Sequence, residues 1–390
     1  MSDLQVGLVT GEYPPDQGGV GDFTREVARA LVLQGNRVHV ITTGSQGTDE
    51  GPDGTILVHR IVPQWDWRCW RHLCDLSEAI GLDVLNIQYQ AAAYRMHPAI
   101  NLFPWRTRRQ TRPTVVTTFH DLRVPYVFPK AGPIRWQTVF GLARWSDGVI
   151  VTNLEDERQL AATPLLTPVR RIPIGSNIAP SLPDCFDRVG WRRRWGVGVG
   201  ELLMGYFGFL NERKGGEDLI RVLAGTVNRG VSGHLLLIGG EVGTSDPTNR
   251  AYAERVDHLV EGLGLSDRVH RTGFVSAEEV SACLEAVDVC ILPYREGASL
   301  RHGSLHACLA HGRPIVTTRP VLDVPEFRDG ESMLLVRRGD VPALVDAAAR
   351  VWSDENLRDR LGAGAVRLST EFTWERIAYR TTDFFVELAP

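Results

Sequence analysis

Long hydrophobic runs are missing from this sequence of 390 residues. No segment approaches the roughly 18 consecutive apolar residues that a membrane-spanning helix needs, and the opening stretch MSDLQVGLVTGEYPP has no basic segment followed by an apolar core, which argues against a secretory signal. A strong charge of one sign is missing too, because the formal net charge is −4, and this argues against a general nucleic-acid binder. We therefore expect a cytoplasmic protein.

Metal-binding patterns are also missing. None of the six cysteines forms a CxxC pair, and no Cys/His spacing typical of zinc occurs. An Asp-x-Asp sequence flanked by apolar strand ends is absent as well. We expect reduced, structural thiols, no metal and no cofactor.

What is present is a repeated alternation of short apolar runs, turns and amphipathic helices. Residues 5–10 predict a buried strand, a Pro- and Gly-rich loop follows, and a helix is predicted from Asp22 before a strand at 38–42. After a Pro-, Gly- and Arg-rich stretch at 181–200, which predicts a linker and a short surface helix, the alternation restarts. Because one hydrophobic core rarely exceeds ~250–300 residues, the chain predicts an α/β protein of two doubly wound, Rossmann-like domains, residues 1–182 and 183–370, facing a central cleft.

In such sheets ligands bind beyond the carboxyl ends of the strands. The first loop carries Gly18, Gly19 and Gly21 ahead of a helix, where backbone N–H groups and the helix dipole favour an anion. The spacing is not GxGxxG and no acidic residue follows the second strand, so a dinucleotide fingerprint is poorly matched. A tight turn without ligand is the alternative.

Two loops of the second half carry cations. The loop at 208–216 places Lys214 between a strand and a helix, where it can reach a phosphate. The loop at 293–304 offers Arg301 and His302 before a helix that begins near Gly303 and Ser304, a combination that favours a diphosphate. In both loops, solvated polar residues are the alternative. His120 ends a strand of the first half, where a structural role and a functional one remain open.

Taken in order, these segments resemble the GT-B glycosyltransferases of family 4. The resemblance covers nearly the whole chain and is carried by EYPPDQGGVGDFTREVARAL at the start, HD at 120–121, FGFLNERKGGEDLI at 207–220, LLLIGG at 235–240, VHRTGFVSAEEVSACLEAVDVCILPY at 269–294, SLHACLAHGRPIVTT at 304–318 and PEFRDGESMLLVRRGD at 325–340. It implies a retaining, metal-independent hexosyltransferase that uses a nucleotide-sugar such as a UDP- or GDP-sugar. The donor is then held mainly by the second domain and the acceptor by the first.

The resemblance also implies residue roles. The glycine loop of Gly18, Gly19 and Gly21 borders the donor diphosphate, His120 contacts the donor sugar near the anomeric carbon, and Lys214 binds the diphosphate. The final helix, within residues 371–390, returns to the first domain.

Three positions depart from the family pattern. Phe209 stands where the family has an arginine, and Ser299 and Ala307 stand where it has two glutamates that contact the sugar and the ribose. Glu296 is a candidate for the sugar contact after a loop shift. We hypothesise that Arg301 supplies the missing cation, helped by His302 and the amides of Gly303 and Ser304.

Other functions stay open at this point: a sugar-nucleotide epimerase, or a degenerate GT-B protein that binds a nucleotide without catalysis. The base, sugar, acceptor and oligomeric state are open as well. Peripheral contact with the inner face of a membrane, and hence a lipid-linked acceptor, is suggested by two clusters of aromatic and basic residues: Trp65, Trp67, Arg68, Trp70 and Arg71, and Trp105, Arg106, Arg108, Arg109 and Arg112. Buried tryptophans with solvated arginines are the alternative.

Overall fold

A computed structural model describes residues 3–16, 18–45, 47–50, 55–108, 113–122, 132–240 and 247–389. The chain divides into two compact units, Met1–Gly175 together with Thr373–Pro390, and Ser176–Phe372. These divisions fall a few residues from the expected boundaries at 182/183 and 370/371. Arg109 and Arg112, part of the second aromatic and basic cluster, lie outside the described residues.

The first unit contains an eight-stranded sheet with helices in the connections. Its strands are β1 Gln5–Val9, β2 Arg37–Thr43, β3 Gly47–Glu50, β4 Ile56–Val62, β5 Val84–Tyr89, β6 Thr114–Phe119, β7 Gly148–Val151 and β8 Val169–Arg171. Its first helices are α1 Gly19–Leu33, α2 Cys69–Ile80, α3 Ala99–Thr107, α4 Gly132–Trp145 and α5 Leu154–Ala161. The strand order is β3-β4-β2-β1-β5-β6-β7-β8, and every pairing is parallel except that of β3 with β4.

The second unit contains a six-stranded, all-parallel sheet in the order β11-β10-β9-β12-β13-β14. Its strands are β9 Leu202–Phe207, β10 Gly233–Ile238, β11 Val269–Arg271, β12 Val289–Leu292, β13 Ile315–Thr318 and β14 Leu334–Val336. Its helices are α6 Arg188–Arg193, α7 Gly216–Asn228, α8 Pro247–Gly262, α9 Ala277–Ala286, α10 Gly303–Ala310, α11 Val341–Ser353 and α12 Glu355–Ser369, with 3-10 turns at Glu212–Lys214 and Thr370–Phe372. Near-continuous apolar strands such as β12, buried throughout, are what helices on both faces of a parallel sheet require.

The last helix, α13 Trp374–Leu388, belongs to the first unit. Phe384 and Phe385 are buried in its core, and the Trp374 ring packs at 5.4 Å from that of Phe23 in α1. The Asn36 side-chain amide donates to Thr382 Oγ1 at 3.3 Å. Helix α13 therefore completes the core of the first unit.

One local expectation is wrong. Helix α1 begins at Gly19, not Asp22, because the Glu12 carboxylate accepts hydrogen bonds from the N–H groups of Val20 and Gly21 and caps a turn that the sequence suggested was non-helical. Helix α6 is the expected surface helix, with Arg188, Val189 and Arg193 exposed, but its inner face buries Trp191 and Arg192. The Arg192 guanidinium is satisfied by Asp288 at 3.0 Å and by the Ala286 carbonyl at 2.9 Å.

Candidate functional site

In the second unit the strand order reverses between β9 and β12. Strands β9 and β12 are neighbours there, with Met204 opposite Val289 and Gly205 opposite Cys290, while the connections after them leave for opposite sides. Open parallel sheets bind ligands at such a switch point, beyond the carboxyl ends of the strands. The two cationic loops, 208–216 and 293–304, are the segments that follow these two strands.

The two loops are held together by backbone contacts. Gly215 adopts φ 76°, and a Cβ there would stand 2.1 Å from the Pro293 carbonyl oxygen. The Arg295 N–H donates to the Arg213 carbonyl at 2.8 Å. Only glycine tolerates both this backbone conformation and this approach, so Gly215 fixes the distance between the loops.

Arg295, which lies in the second loop, is a structural anchor. Its guanidinium donates to both carboxylate oxygens of Asp218 in α7, at 2.8 and 3.0 Å. Burial alone would raise the pKa of Asp218, but Arg295 and Arg221 reverse this and hold it below its usual value. Sequence reasoning missed Asp218, because an acidic residue in the first turn of a helix is ordinary capping chemistry.

Lys214 ends the 3-10 turn, where its backbone N–H donates to Asn211 Oδ1 at 2.9 Å. A Cβ placed on Gly208 would stand 3.5 Å from Lys214 Nζ and 3.8 Å from Ser304 Cβ, so the ammonium group and the start of α10 border one small space. Burial lowers the pKa of Lys214, while Glu296 opposes the shift. Lys214 is also one of only two lysines among the chain's 43 basic residues, a signal that the sequence reasoning overlooked.

Glu296, Arg301 and His302 form a compact group in the second loop. Glu296 Oε1 lies 3.1 Å from an Arg301 guanidinium nitrogen and 3.0 Å from His302 Nε2. The His302 ring packs 4.0 Å from the Tyr294 ring, whose hydroxyl lies 2.8 Å from Ser304 Oγ. Arg301 is therefore paired with a carboxylate, so its guanidinium and Glu296 largely cancel each other's charge.

The amino end of α10 lies in the same place. His302 is its N-cap residue and makes no side-chain capping bond, and the His302 backbone N–H donates to the Ser299 carbonyl at 3.1 Å. The N–H groups of Gly303 and Ser304 come before the hydrogen-bonded turns of the helix, whereas those of Leu305 and His306 donate to the His302 carbonyl. Lys214 and this helix terminus together can hold a phosphate group.

The three positions that depart from the family pattern behave differently from one another. Phe209 is 41% exposed, and its carbonyl accepts a hydrogen bond from the Tyr206 hydroxyl at 3.1 Å. Ser299 and Ala307 are both buried, and Ala307 belongs to the apolar core of the unit. The structure thus groups Glu296, Arg301 and His302, and it brings Lys214 and Ser304 to the space beside Gly208, while Ser299 is buried.

The glycine loop of the first unit is already occupied by an internal anion. Glu12 Oε1 lies 3.1 Å from the Val20 nitrogen and 3.4 Å from that of Gly21. A Cβ on Gly18 would stand 2.1 Å from this carboxylate, and one on Gly21 would stand 3.0 Å from the Glu12 carbonyl, whereas Gly19 has open space. Burial raises the pKa of Glu12. Gly18 and Gly21 are therefore required by the Glu12 cap.

His120 directly follows β6 and is oriented by a chain of amides. Its Nε2 lies 2.9 Å from Gln88 Oε1, the Gln88 amide donates to Asn86 Oδ1, and Asn86 in turn donates to Thr118 Oγ1 at 3.0 Å. Because Gln88 presents an acceptor, Nε2 carries the proton and Nδ1 the lone pair. The edge of the Phe23 ring packs 4.7 Å from the imidazole, and burial lowers the pKa of His120 to about 4. The ring is neutral near pH 7.

Two kinds of feature are absent from the described part of the chain. No group of three or more His, Cys, Asp or Glu side chains there could hold a metal ion. No helix there is both long enough and apolar enough to cross a membrane.

Comparison with known families gives two successive matches. The family described as Glycosyltransferase Family 4 matches residues 17–179, and the family described as Glycosyl transferases group 1 matches residues 201–354. The first match lies in the first unit and the second in the second unit, and each includes that unit's candidate residues.

Individual relatives of the chain are named as glycosyltransferases as well. The chain is 25% identical to a GDP-mannose-dependent alpha-(1-6)-phosphatidylinositol monomannoside mannosyltransferase of Mycobacterium tuberculosis, over 97% of both chains. It is 28% identical to a D-inositol 3-phosphate glycosyltransferase of Corynebacterium jeikeium, over 57% of this chain and 52% of that one.

Among solved structures, sucrose-phosphate synthase from Thermosynechococcus elongatus matches with a TM-score of 0.77 at 22% identity, over 99% of each chain. HepE of Anabaena, solved in complex with UDP-glucose, matches with a TM-score of 0.76 at 16% identity, over 98% of this chain and 100% of that one. These likenesses establish the shared fold, and the family matches and named relatives establish the reaction class. The chain belongs to the GT-B glycosyltransferases of family 4 and is a nucleotide-sugar-dependent glycosyltransferase.

Proposed function

We propose that this enzyme transfers a hexosyl group from a nucleoside diphosphate to an acceptor hydroxyl with retention at the anomeric carbon, and that the second unit binds the donor. The observation that carries the proposal is the space beside Gly208, bordered by Lys214 Nζ and the start of α10. Negative charge gathers on the diphosphate as the sugar departs. A fixed ammonium group and helix N–H groups aimed at that charge lower the barrier without reorganising.

The proton of the acceptor needs a destination, and a departing phosphate oxygen can receive it, so no strong protein base is required. His120 suits a different role in this scheme. Its imidazole is neutral and its Nε2–H is held by Gln88, so Nδ1 offers a lone pair to a sugar hydroxyl. We place the acceptor with the first unit, as in the family.

Retention and metal independence have direct tests. The proton NMR spectrum of the first-formed product gives its anomeric configuration, and the proposal requires that it match the donor's. Since Lys214 and α10 take the role that a divalent cation has in other transferases, activity is expected to persist in EDTA. A product with the inverted anomeric configuration would contradict retention. Activity that EDTA abolishes and Mg²⁺ restores would contradict metal independence.

The base and sugar are found by a thermal-shift screen with UDP, GDP and ADP and with UDP-glucose and GDP-mannose. The mannosyltransferase relative is named for GDP-mannose and the Anabaena structure contains UDP-glucose, so these two donors head the screen. A ligand at a hundred times its Kd stabilises a protein by about 2.7 kcal/mol, which a melting curve resolves. Absence of any shift with all five compounds would contradict the proposal.

We also propose that the first unit contacts an anionic lipid surface, so that a lipid-linked acceptor can be reached. Trp67 and Trp105 are 48% and 42% exposed, and Arg106 and Arg108 are exposed beside Trp105. Exposed aromatic and basic side chains together favour an anionic interface.

The clusters are not uniformly available for such contact. Trp65 is buried, and the Trp70 indole N–H donates to the Ala99 carbonyl at 2.8 Å. Arg68 is paired with Asp66. The proposal therefore rests on Trp67, Trp105 and the arginines that follow Trp105.

Sedimentation with anionic and neutral liposomes tests this proposal. Trp67→Ala with Trp105→Ala is expected to abolish binding to anionic vesicles at low salt, whereas Tyr379→Ala, which removes a side chain 68% exposed on α13, leaves binding unchanged. Equal recovery of wild type with both vesicle types would contradict the proposal.

A further inference from the structure

His302 is a buried histidine with one satisfied and one unsatisfied ring nitrogen. Its residue exposure is 7%. Nε2 lies 3.0 Å from Glu296 Oε1, but Nδ1 is buried without a hydrogen-bond partner among the described residues. A buried polar atom left without a partner costs roughly 1–3 kcal/mol, so such an atom at a binding site points to a missing ligand group.

The neighbours of His302 decide which of its two ring nitrogens carries the proton. Glu296 also lies 3.1 Å from the Arg301 guanidinium, and a carboxylate that pairs with a guanidinium acts as a hydrogen-bond acceptor. The Nε2 atom must then be the donor, and Nδ1 of the neutral ring is left with a lone pair. Burial, first of all, and the positive charges of Arg301 and Lys214 lower the pKa of His302 although Glu296 opposes them. The imidazole ring is therefore neutral near pH 7, and its Nδ1 can accept a hydrogen bond.

The ring is also fixed in place. It packs at 4.0 Å against Tyr294, which is fully buried and hydrogen-bonded to Ser304. His302 is itself the N-cap of α10, the helix whose first turn faces the space next to Lys214. A rigid acceptor at this position is preorganised for a donor group that arrives with the diphosphate.

We propose that His302 Nδ1 accepts a hydrogen bond from a hydroxyl group of the nucleotide-sugar, with Glu296 as the residue that fixes the tautomer. This rests on the proposed donor site and changes the role that the sequence suggested for His302, from assisting a cation to recognising a hydroxyl. It supplies the hydroxyl contact for which Ser299 and Ala307, short and buried, provide no carboxylate.

Two substitutions separate the ring nitrogens. The amide of His302→Asn reaches the position of Nδ1, and that of His302→Gln reaches the position of Nε2. His302→Gln should keep the bond to Glu296 and lose the hydroxyl contact, whereas His302→Asn should retain an acceptor for the hydroxyl. We expect His302→Gln to weaken donor binding about tenfold to a hundredfold and His302→Asn to weaken it clearly less, with both variants folded by their melting curves.

Calorimetric titration with inorganic pyrophosphate, GDP, UDP, GDP-mannose and UDP-glucose completes the test. Pyrophosphate carries no ribose or sugar hydroxyl, so its affinity should be equal in wild type and His302→Gln. A loss already seen with GDP or UDP assigns a ribose hydroxyl, and a loss confined to the sugar nucleotides assigns a hydroxyl of the transferred sugar. Equal donor affinity in wild type and His302→Gln, or an equal loss for pyrophosphate, overturns the inference alone.

An independent signal comes from the ring itself. With ¹⁵N-histidine labelling, His302 should show an unprotonated Nδ1 and a protonated Nε2, and the donor should shift the Nδ1 resonance toward its hydrogen-bonded position. A protonated Nδ1 in the ligand-free enzyme overturns the inference. Wild-type enzyme that binds none of the five compounds overturns the proposed function, and the inference with it.

Discussion

Gly208 and Lys214 face each other beyond the end of β9: a Cβ on Gly208 would stand 3.5 Å from the lysine Nζ. Gly208 also has φ 111°, a conformation that other residues rarely adopt. The absence of a side chain thus keeps open the space in which we place a phosphate group.

Gly208→Ala fills that space with a methyl group. We expect it to raise the donor KM at least tenfold and to lower stability by about 1 kcal/mol through backbone strain. Gly230→Ala is the matched control, because Gly230 also has a left-handed φ of 81° but no atom within 4 Å of the added Cβ. It should show a similar loss of stability with an unchanged KM. A wild-type KM in Gly208→Ala would show that no phosphate lies there.

Lys214→Ala removes the ammonium group from the same space. If this group stabilises the departing diphosphate, kcat should fall roughly 10²–10³-fold. Arg213→Ala is the control, since Arg213 precedes Lys214 on the same 3-10 turn but is exposed. Steady-state kinetics on both variants checks the prediction, and comparable losses in the two would indicate damage to the turn.

Arg301→Ala tests the hypothesis that this arginine replaces the cation lost at Phe209. The Arg301 side chain is 14% exposed and pairs with Glu296, so its loss removes a positive charge and leaves the carboxylate uncompensated near the donor. We expect the donor KM to rise at least tenfold. Arg319→Ala, which removes a surface partner of Asp329, should have wild-type kinetics. Wild-type kinetics in Arg301→Ala as well would refute the hypothesis.

A buried pair of histidines predicts acid sensitivity in the first unit. His39 Nδ1 lies 3.0 Å from His59 Nε2, and both rings are buried. Burial first, and then His39, lower the pKa of His59 to about 4, below the 6.5 of the unfolded chain. The unfolded state therefore binds the proton more readily, and stability is lost as pH falls from 6.5 toward 4.

His59→Gln should flatten this part of the pH profile. We expect urea unfolding to show that, between pH 7 and pH 4.5, the free energy of unfolding falls by roughly 2–3 kcal/mol less in this variant than in wild type. His258→Gln is the control, because the His258 side chain is 82% exposed. If the free energy of unfolding falls equally in wild type and in His59→Gln between pH 7 and pH 4.5, this histidine pair is not the cause of the acid sensitivity.

The fold was predictable because its signals are local and repeated. Buried strands such as β12 are short apolar runs, and the capping box of Ser276 and Glu279 marks the start of α9. The start of α1 was not predictable from the same signals, because its cap is the side chain of Glu12, seven residues earlier, across two prolines and the glycine loop. A contact of that kind depends on the loop's path, which composition does not encode.

The sequence singles out residues of the two cationic loops, but it does not give the pairings between their side chains. Loop position and residue type selected Lys214, Arg301 and His302, but nothing in the sequence says that Glu296 binds both Arg301 and His302. Asp218, which anchors Arg295, comes from a different loop-helix junction. Side-chain pairings across separate loops follow from the sheet order, so they appear only with the fold.

Labelling of lysine amines tests the central claim most directly. Because the chain has two lysines, Lys130→Arg leaves Lys214 as the one lysine side chain, and burial lowers the Lys214 pKa, which increases the share of reactive neutral amine near pH 8. Mass spectrometry then follows acylation of Lys214 with and without the nucleoside diphosphate found by screening. Strong protection by saturating nucleotide is the predicted result, and an unchanged labelling rate with nucleotide bound would contradict the account.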